Sequence, residues 1–324
     1  MSKNRLRNLK VSVQPTISEL RFMAGRVMAN PLSIMGVGIL SFFALVALLA
    51  PVLAPPKGLD PYMIPRVSYA ERPSPISEQH PFGTTQGQLD IFYGSVWGTR
   101  TAFRIGFVVV AISLAISIVV GSLAGYYGGL IDELLMRFTD IIIAFPGLVL
   151  AMALVTALPD TFAINLGFMN PTLYFTRLDK ILLALVLVGW PGYTRVLRGE
   201  ILRVKGEDFV EAAKAVGCSD FRIIIRHVMP NAVYPIVIMA SLDIGSVVLT
   251  AAALSFLGIG APHGYADWGQ MISLARTWIS DPAVLRSYWY TFIIPGIFIA
   301  TFSLGWNLLG DAFRDILDPT IRRK

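Results

Sequence analysis

One carboxylate interrupts a long apolar run in the C-terminal half of the chain. Asp243 lies between Ala232 and Ile259, with Ser246 about one helical turn further on. If the run crosses a membrane, this ionisable group costs about 2.5 to 3.5 kcal/mol on insertion scales, so we expect it to face the interior of a helix bundle. Asp243 and Ser246 are therefore candidates for lining a translocation path. A structural hydrogen bond from Asp243 to a neighbouring helix is an equally good interpretation.

A second group of polar residues lies in the stretch EAAKAVGCSDFRIIIRHVMP, from Glu211 to Pro230, between apolar segments. Small or apolar residues recur there at i, i+3, i+4 and i+7, which predicts a short helix with one such face: Phe209, Ala212, Ala213 and Val216. Gly217 is predicted to end this helix, because glycine adopts the left-handed conformation of a C-terminal cap without a steric penalty.

A second short helix is predicted directly after this glycine. Ser219 or Asp220 can accept a backbone N–H as its N-cap, and Pro230 marks where the next segment begins. The apolar stripe of this helix has the same spacing: Phe221, Ile224, Ile225 and Val228. Small residues and charges on such a helix pair suit contact with another protein, but periodicity alone supports a solvated connector equally well.

Sequence motifs for catalysis or nucleotide binding are missing from the chain. There is no GxxxxGK[ST] phosphate loop, and neither HExxH nor GxSxG occurs. The single cysteine, Cys218, cannot form an internal disulfide, and the three histidines are far apart in sequence: His80, His227 and His263. We therefore expect the chain to be no enzyme and to hold no metal and no cofactor of its own.

The composition is that of a polytopic membrane protein. Hydrophobic residues make up 55% and charged residues 15% of the 324 residues, with a mean hydropathy of +0.63. Runs with little or no charge predict an all-α fold with six transmembrane helices, over residues 31–56, 105–127, 141–158, 181–194, 232–259 and 290–309.

Several boundaries of these spans are irregular. Pro146-Gly147 predicts a kink in the third span. The fourth is only about 14 residues long between Lys180 and Arg195. Either its helix continues into the polar region, or one or both of these side chains extend along the membrane to its aqueous surface. Closely spaced prolines predict an extended loop over residues 57–104, and charged residues predict a short loop over 128–140.

Basic residues predict the orientation. With both termini on one side, 18 of the 27 Lys and Arg residues fall on that side, in the two tails and in the 128–140 and 195–227 loops. By the positive-inside rule, both termini and the Glu211–Pro230 stretch face the cytoplasm. These charges flank membrane spans and form no basic-aromatic groove, which argues against nucleic-acid binding.

The chain divides into five parts on this interpretation. The N-terminal tail, residues 1–30, has a capping-box spacing and an apolar stripe that suit a helix on the lipid surface, although a loosely ordered basic tail fits as well. The other parts are the first span (31–56), the extracytoplasmic loop (57–104), a membrane core (105–310) containing the loop 195–230, and a C-terminal tail (311–324).

The Glu211–Pro230 stretch resembles a known motif. Its Glu-Ala-Ala start, Gly217 and Met229-Pro230 are similar to the EAA loop of the membrane subunits of binding-protein-dependent ABC importers. Similarity to the peptide and nickel branch continues through YYGGLIDELLMRFTDIIIAFPGL, GWPGYTRVLRGE, ALSFLGIG and NLLGDAFRDILDP. The resemblance covers nearly everything after residue 80 and is to the C-type permease of that branch.

This resemblance implies a type I importer permease in a prokaryotic inner membrane. It also implies a homologous B-type permease, two cytoplasmic ABC ATPases that bind ATP and Mg²⁺, and an extracytoplasmic solute-binding protein as partners. In the family the EAA helices dock in a groove of the ATPase. Carried over by position, the ATPase-coupling residues are Glu211, Ala212, Ala213, Gly217, Asp220 and Pro230.

Some positions depart from the family pattern. His227 and Met229 replace residues that are usually aliphatic, and Ala251 stands where many relatives are acidic. The chain reads HPFGTTQGQLD over residues 80–90, where relatives commonly read HPLGTDxLGRD. The substrate therefore stays open among peptides, oligosaccharides and nickel. The rival hypothesis is an ion-coupled secondary transporter using Asp243, while an intramembrane hydrolase would lack a nucleophile and base.

Overall fold

The computed structural model describes residues 30–163, 172–279 and 286–317. Five helices in these ranges are long and apolar enough to cross a membrane, and a bent helix pair counts as a sixth span when taken together. The predicted six-span helical fold is thus confirmed. The expected surface helix of the N-terminal tail and the end of the C-terminal tail lie outside the described residues.

The helices are numbered here along the chain. The five single spans are α1 (Pro31–Leu53), α2 (Ile91–Tyr127), α5 (Arg177–Lys205), α9 (Tyr234–Phe256) and α12 (Tyr290–Leu317). The bent pair is α3 (Gly129–Ile143) and α4 (Gly147–Ala157). Shorter helices are α6 (Asp208–Ala215), α7 (Asp220–Ile223), α8 (Met229–Ala232), α10 (Trp268–Leu274) and α11 (Arg276–Ile279).

The second span begins well before its predicted start. The sequence prediction placed an extended loop up to residue 104, but α2 begins at Ile91, where the Asp90 side chain accepts the backbone N–H of Tyr93 as N-cap. The charges of Arg100 and Arg104 limit how far lipid extends along this segment, but they do not end a helix. The prediction of a loop over residues 91–104 is therefore wrong.

The third span is a break rather than a gentle kink. α3 and α4 meet at an angle of 91° around Pro146. The predicted loop over residues 128–140 is also helical, because most of it belongs to α3. Its acidic residues bind α5: Arg198 donates to both carboxylate oxygens of Asp132, and Arg195 pairs with Asp140 at 2.5 Å. Charges that suggested a loop are thus ion-pair partners across two helices.

Other boundaries also extend past the hydrophobic runs. α5 continues at both ends of the predicted span 181–194, because Thr176 and Asp179 form a capping box at its start and the helix runs on to Lys205. A two-stranded antiparallel sheet, β1 (Thr161–Ala163) with β2 (Thr172–Tyr174), lies between α4 and α5. This short hairpin is the one departure from an all-α fold among the described residues.

Close packing of α2 on α5 forms the centre of the bundle. A Cβ at Gly125 would lie 3.0 Å from the backbone oxygen of Arg198 and 2.9 Å from Ile201, so only glycine allows this approach. A second set of contacts is aromatic: Phe43, Trp268, Phe298 and Phe302 lie with ring centroids 5.4 to 6.0 Å apart. These contacts join α1, α10 and α12 into one core.

One end of the bundle is covered by a structure we call the cap, residues 54–90 and 257–279. Its two segments pair at Met63 and Tyr265. Side chains from the helices bind its backbone: Trp97 Nε1 donates to Ala54 O at 2.9 Å, and Tyr93 Oη donates to Pro61 O at 2.8 Å. The Pro-rich segment is therefore an ordered layer over the helix ends.

Gln88 organises the polar interior of the cap. It is buried and has a positive φ of 61°. Its Oε1 accepts hydrogen bonds from Ser74 Oγ (2.8 Å) and Thr84 Oγ1 (3.2 Å), while its Nε2 donates to the backbone oxygen of Arg72. The left-handed backbone conformation is held in place by these three bonds.

Candidate functional site

The opposite end of the bundle carries a connection between α5 and α9 that we call the elbow loop, residues 206–233. The 37 residues of α2 measure about 55 Å, and the last of them contact this loop while the first contact the cap. The loop contains α6, α7 and α8, with a π-helical turn, Ile224–Val228, between the last two. The predicted pair of short helices is therefore present.

Gly217 forms the turn between the two helical parts. Its φ is +79°, and a Cβ there would meet nothing within 4 Å, so conformation alone requires the glycine. The Gly217 N–H donates to Lys214 O at 2.9 Å, and the Cys218 N–H donates to Ala213 O at 3.1 Å. These two bonds define a Schellman motif, which fixes the angle at which the chain leaves α6.

Polar contacts attach the elbow loop to the bundle. Tyr126 Oη, near the end of α2, donates to Asp220 Oδ1 at 2.7 Å. Lys205 Nζ, at the end of α5, donates to Tyr126 O at 2.5 Å and lies 5.5 Å from the centroid of the Tyr126 ring. One tyrosine thus joins the ends of two membrane helices to the start of α7.

The buried face of the loop differs from the predicted stripes. Val210, Ile223 and Val228 are buried against the bundle, together with Ala213. The predicted stripes contained Ala213 and Val228 but not Val210 or Ile223. The prediction was partly wrong because periodicity identifies apolar positions only. It does not distinguish residues that pack on the bundle from residues that face a partner.

The outward face of the loop is unusually apolar. The exposed fractions are 43% for Phe209, 79% for Val216, 73% for Phe221 and 50% for Ile225. The charged side chains around them form no ion pair within the described residues: Asp208, Glu211, Lys214, Arg222 and Arg226. Large apolar residues surrounded by unpaired charges are typical of a surface that binds another protein.

The π-helical turn accommodates Pro230. Proline has no N–H, and its ring clashes with the carbonyl four residues before it in a regular helix, so the wider turn relieves that contact. Two of the departures from the family pattern, His227 and Met229, lie in or beside this turn. The backbone oxygen of His227 accepts a bond from Asn231 Nδ2 at 2.7 Å, and Met229 packs partly buried against the core.

The elbow loop brings together most of the predicted site residues. Glu211 and Ala212 are exposed on α6, while Ala213 is buried behind them. Gly217 forms the turn, Asp220 is bonded to Tyr126, and Pro230 lies in α8, directly after the π-helical turn. No sequence pattern pointed to the anchors Tyr126 and Lys205, since both lie at the ends of other helices and only packing brings them to the loop.

Asp243 and Ser246 lie apart from the elbow loop, on α9. Asp243 is half-buried, and Ser246 Oγ donates to its backbone oxygen at 3.0 Å and approaches its Oδ1 at 3.3 Å. The hydroxyl of Tyr193 on α5 is also near this carboxylate, close enough to interact electrostatically but without the geometry of a full hydrogen bond. Tyr193 was not among the predicted site residues, because nothing in the sequence links it to α9.

A second carboxylate with an unusual environment lies in the cap. Asp267 is buried and is the N-cap of α10, accepting the backbone N–H of Gln270 at 2.7 Å. Burial raises the pKa of Asp267 to about 6, although hydrogen bonds from Gln270, Ser255 and Gly269 act in the opposite direction. No cluster of three or more potential metal ligands occurs in the described part of the chain.

Comparisons with known proteins agree with this arrangement. The family model described as "Binding-protein-dependent transport system inner membrane component" matches residues 117–323. The chain is 36% identical over 298 residues to a dipeptide transport system permease protein of Alkalihalophilus pseudofirmus, covering 90% of this chain and 87% of that one. It is 31% identical to the oligopeptide transport system permease protein of Bacillus subtilis, covering 92% and 88% of the two chains.

A solved structure supports the fold independently. An amino acid ABC transporter crystal structure matches 69% of this chain and 94% of its own, with a TM-score of 0.50 and 15% sequence identity. At that identity the similarity concerns the fold alone.

Proposed function

The chain belongs to the family of binding-protein-dependent transport system inner membrane components and is a multi-pass permease subunit of an ABC importer, and on this premise we propose that it forms half of a path for peptides or a related solute. Relatives named for dipeptide and oligopeptide transport, at 30–36% identity over most of the chain, support the substrate class. The comparisons give no support to the rival ion-coupled carrier.

The elbow loop is the site at which we propose that ATPase subunits act on this chain. The observation that carries this assignment is the outward face of the loop, where four large apolar side chains are exposed beside unpaired charges. A surface with this composition needs a protein partner, because exposed apolar area of this kind is unfavourable in water. The Schellman turn at Gly217 and the Tyr126 anchor transmit movement of such a partner to α2 and α5.

The coupling residues in this proposal have separate roles. Glu211 and Ala212 contact the ATPase, Ala213 and Asp220 attach the loop to the bundle, and Gly217 and Pro230 set the direction of the chain. The ATPase partners would supply ATP and Mg²⁺. By the distribution of basic residues, the elbow loop and both termini face the cytoplasm.

The other partners follow from the same assignment. A homologous B-type permease completes the path, lipid surrounds the bundle, and a solute-binding protein docks on the cap. An open cleft of about 430 Å³ in the cap supports the last of these, since Arg66, Tyr69 and Arg72 are among its lining residues and Tyr69 is 90% exposed. Arginine and tyrosine are enriched at protein interfaces.

The face of α9 that carries Asp243 and Ser246 is our candidate for the path itself. It is not fully covered by the rest of the chain, and both side chains are polar in a helix that is mostly apolar. A polar stripe of this kind is favourable against water or protein and costly against lipid.

Affinity purification from the native membrane tests the assignment. A second permease and two ATPases are expected to co-purify with the chain. Phe221→Asp should release the ATPases and keep the second permease, because it places a charge in the apolar contact. Tyr69→Asp is the matched control, an exposed aromatic at the opposite end, and should keep the ATPases. Recovery of the chain alone, active in solute uptake without ATP, would contradict the proposal.

A further inference from the structure

Three polar side chains follow one another along the partly uncovered face of α9. Asp243, Ser246 and Thr250 are spaced by three and four residues, which places them on the same side of the helix. Both hydroxyls donate to backbone oxygens of their own helix: Ser246 to Asp243 O, and Thr250 to Ser246 O at 2.8 Å. Their oxygens therefore retain free lone pairs on a surface that also carries a carboxylate.

The carboxylate of Asp243 has no cationic partner among the described residues. On α5, Arg195 and Arg198 pair with Asp140 and Asp132 of α3. The basic residues of α2 are also engaged: Arg104 with Asp179 at 3.4 Å, and Arg100 with the backbone oxygen of Ala47 at 2.5 Å.

Three other helices packed on α9 contain no basic residue: α4, α8 and α10. The last neighbour, α12, has its charged groups toward its C-terminal end: Asp311, Arg314 and Asp315. Arg314 forms no ion pair with Asp243. Every neighbouring helix thus leaves this negative charge uncompensated.

An independent observation comes from Tyr193. The residue is 3% exposed, and its hydroxyl has no hydrogen-bond partner within the described part of the chain, although the Asp243 carboxylate is its charged neighbour. A buried hydroxyl without a partner costs about 1 to 3 kcal/mol, so such groups usually belong to a site completed by something else.

We propose that Asp243, with the Tyr193 hydroxyl beside it and Ser246 and Thr250 along the same face, binds the ammonium or guanidinium group of the passing solute. The carboxylate supplies the charge, and the three hydroxyls accept the remaining N–H bonds of that group. The path through this permease thereby favours cationic solutes. This inference rests on the proposed function, because it requires α9 to line the path.

The assembled transporter in proteoliposomes provides the test. Ser246→Cys is made in a Cys218→Ser background, which removes the native thiol. The new thiol is reacted with a trimethylammonium-ethyl or a sulfonatoethyl methanethiosulfonate, and each rate is divided by the rate with a free thiol. We expect the cationic reagent to be favoured about tenfold, since about 1.4 kcal/mol of attraction suffices.

Further variants connect this preference to Asp243. Asp243→Asn should abolish the preference, and Asp243→Glu should retain it. Thr250→Cys, one turn further from an intact Asp243, should show a smaller preference than Ser246→Cys, so the test holds even if the asparagine variant does not assemble.

The possible failures are distinguishable. If neither reagent reacts at Ser246→Cys, that face is not in an aqueous path, and both the cation site and the proposed path are wrong. If the thiol reacts with both reagents at equal corrected rates, or if Asp243→Asn leaves the preference unchanged, α9 still lines the path but the cation site is overturned.

Discussion

The cap and the elbow loop lie at opposite ends of the same bundle and differ in how their polar groups are satisfied. In the cap, buried polar groups are bonded internally, as around Gln88, and of its described buried side-chain atoms only Gln270 Oε1 has no partner. On the outward face of the elbow loop, five charged side chains form no ion pair within the described residues, and large apolar side chains are exposed. The polar interior of the cap is therefore satisfied within the chain, whereas the outward face of the elbow loop has the composition of a docking surface.

An interior whose polar groups are bonded internally can thus be distinguished from an outward face whose charges form no ion pair. Both regions are connections between membrane helices, and both contain a residue with positive φ: Gln88 in the cap and Gly217 in the loop. In the cap the unusual backbone is surrounded by hydrogen bonds, while at Gly217 there is open space. The first arrangement stabilises the chain itself, and the second fixes the direction of an exposed helix.

The largest expected effect concerns the aromatic core beneath the cap. Trp268 is buried, donates from Nε1 to Ser95 O at 3.1 Å and packs on three phenylalanines. Trp268→Ala should lower the free energy of unfolding by about 3 to 5 kcal/mol, measured by denaturation in mixed micelles. Phe221→Ala is the matched control in the elbow loop and should change it by less than about 0.5 kcal/mol. Similar losses in both variants would remove the contrast between the two regions.

Asp267 should make the stability of the cap depend on pH. Burial raises its pKa from 3.8 to about 6, so the folded protein binds this proton more tightly than the unfolded chain. The resulting stabilisation is fully present below about pH 4 and is lost as the pH rises to about 6, a difference of about 3 kcal/mol.

Asp267→Asn keeps the N-cap oxygen and removes the titration. Thermal unfolding of the purified protein should therefore show this pH dependence in the wild type and much less of it in the variant. An unchanged pH profile in Asp267→Asn would show that another group is responsible.

A smaller effect is expected at the elbow. Gly217→Ala forces a side chain into a left-handed conformation, at a cost of about 1 to 2 kcal/mol, without any clash because the space is open. Gly206→Ala is the control in the same loop, since Gly206 has a φ of −85°. ATP-driven transport should fall in Gly217→Ala and be preserved in Gly206→Ala. Equal transport by the two variants would mean that the turn geometry is unimportant.

The smallest effect tests the anchor of the elbow loop. Tyr126→Phe removes the hydrogen bond to Asp220 and should destabilise the attachment of α7 by about 1 kcal/mol. Hydrogen exchange of the loop amides should accelerate about fivefold, with little change in the cap. Tyr127→Phe is the control, because the Tyr127 hydroxyl makes no hydrogen bond within the described residues. Faster exchange in both variants would rule out the specific anchor.

The sequence predicted the spans and the elbow well because both depend on local signals. Apolar runs of sufficient length located the spans, and Gly217 located the turn. Charge was a poorer guide to helix ends: Arg100 and Arg104 were placed in a loop and lie in α2, while Asp132 and Asp140 were placed in a loop and bind arginines of α5. Whether a charge is solvated or paired depends on tertiary packing.

Other features could not be predicted because they join distant parts of the chain. The Tyr126–Asp220 bond and the approach of Tyr193 to Asp243 each connect two helices that are far apart in sequence. Gln88 is a different case. The family pattern has glycine at this position, and the observed positive φ gives the reason, but the compensating bonds from Ser74 and Thr84 appear only in the structure.

The length of α2 has a mechanical consequence. Tyr93 near its start is bonded to the cap, Tyr126 near its end is bonded to the elbow loop, and the helix between them contains no proline. A rod of about 55 Å that tilts by only about 5° at one end moves its other end by roughly 5 Å. Events on the two faces of the membrane are therefore geometrically linked through this one helix, with the larger displacement always at the end that is less firmly held.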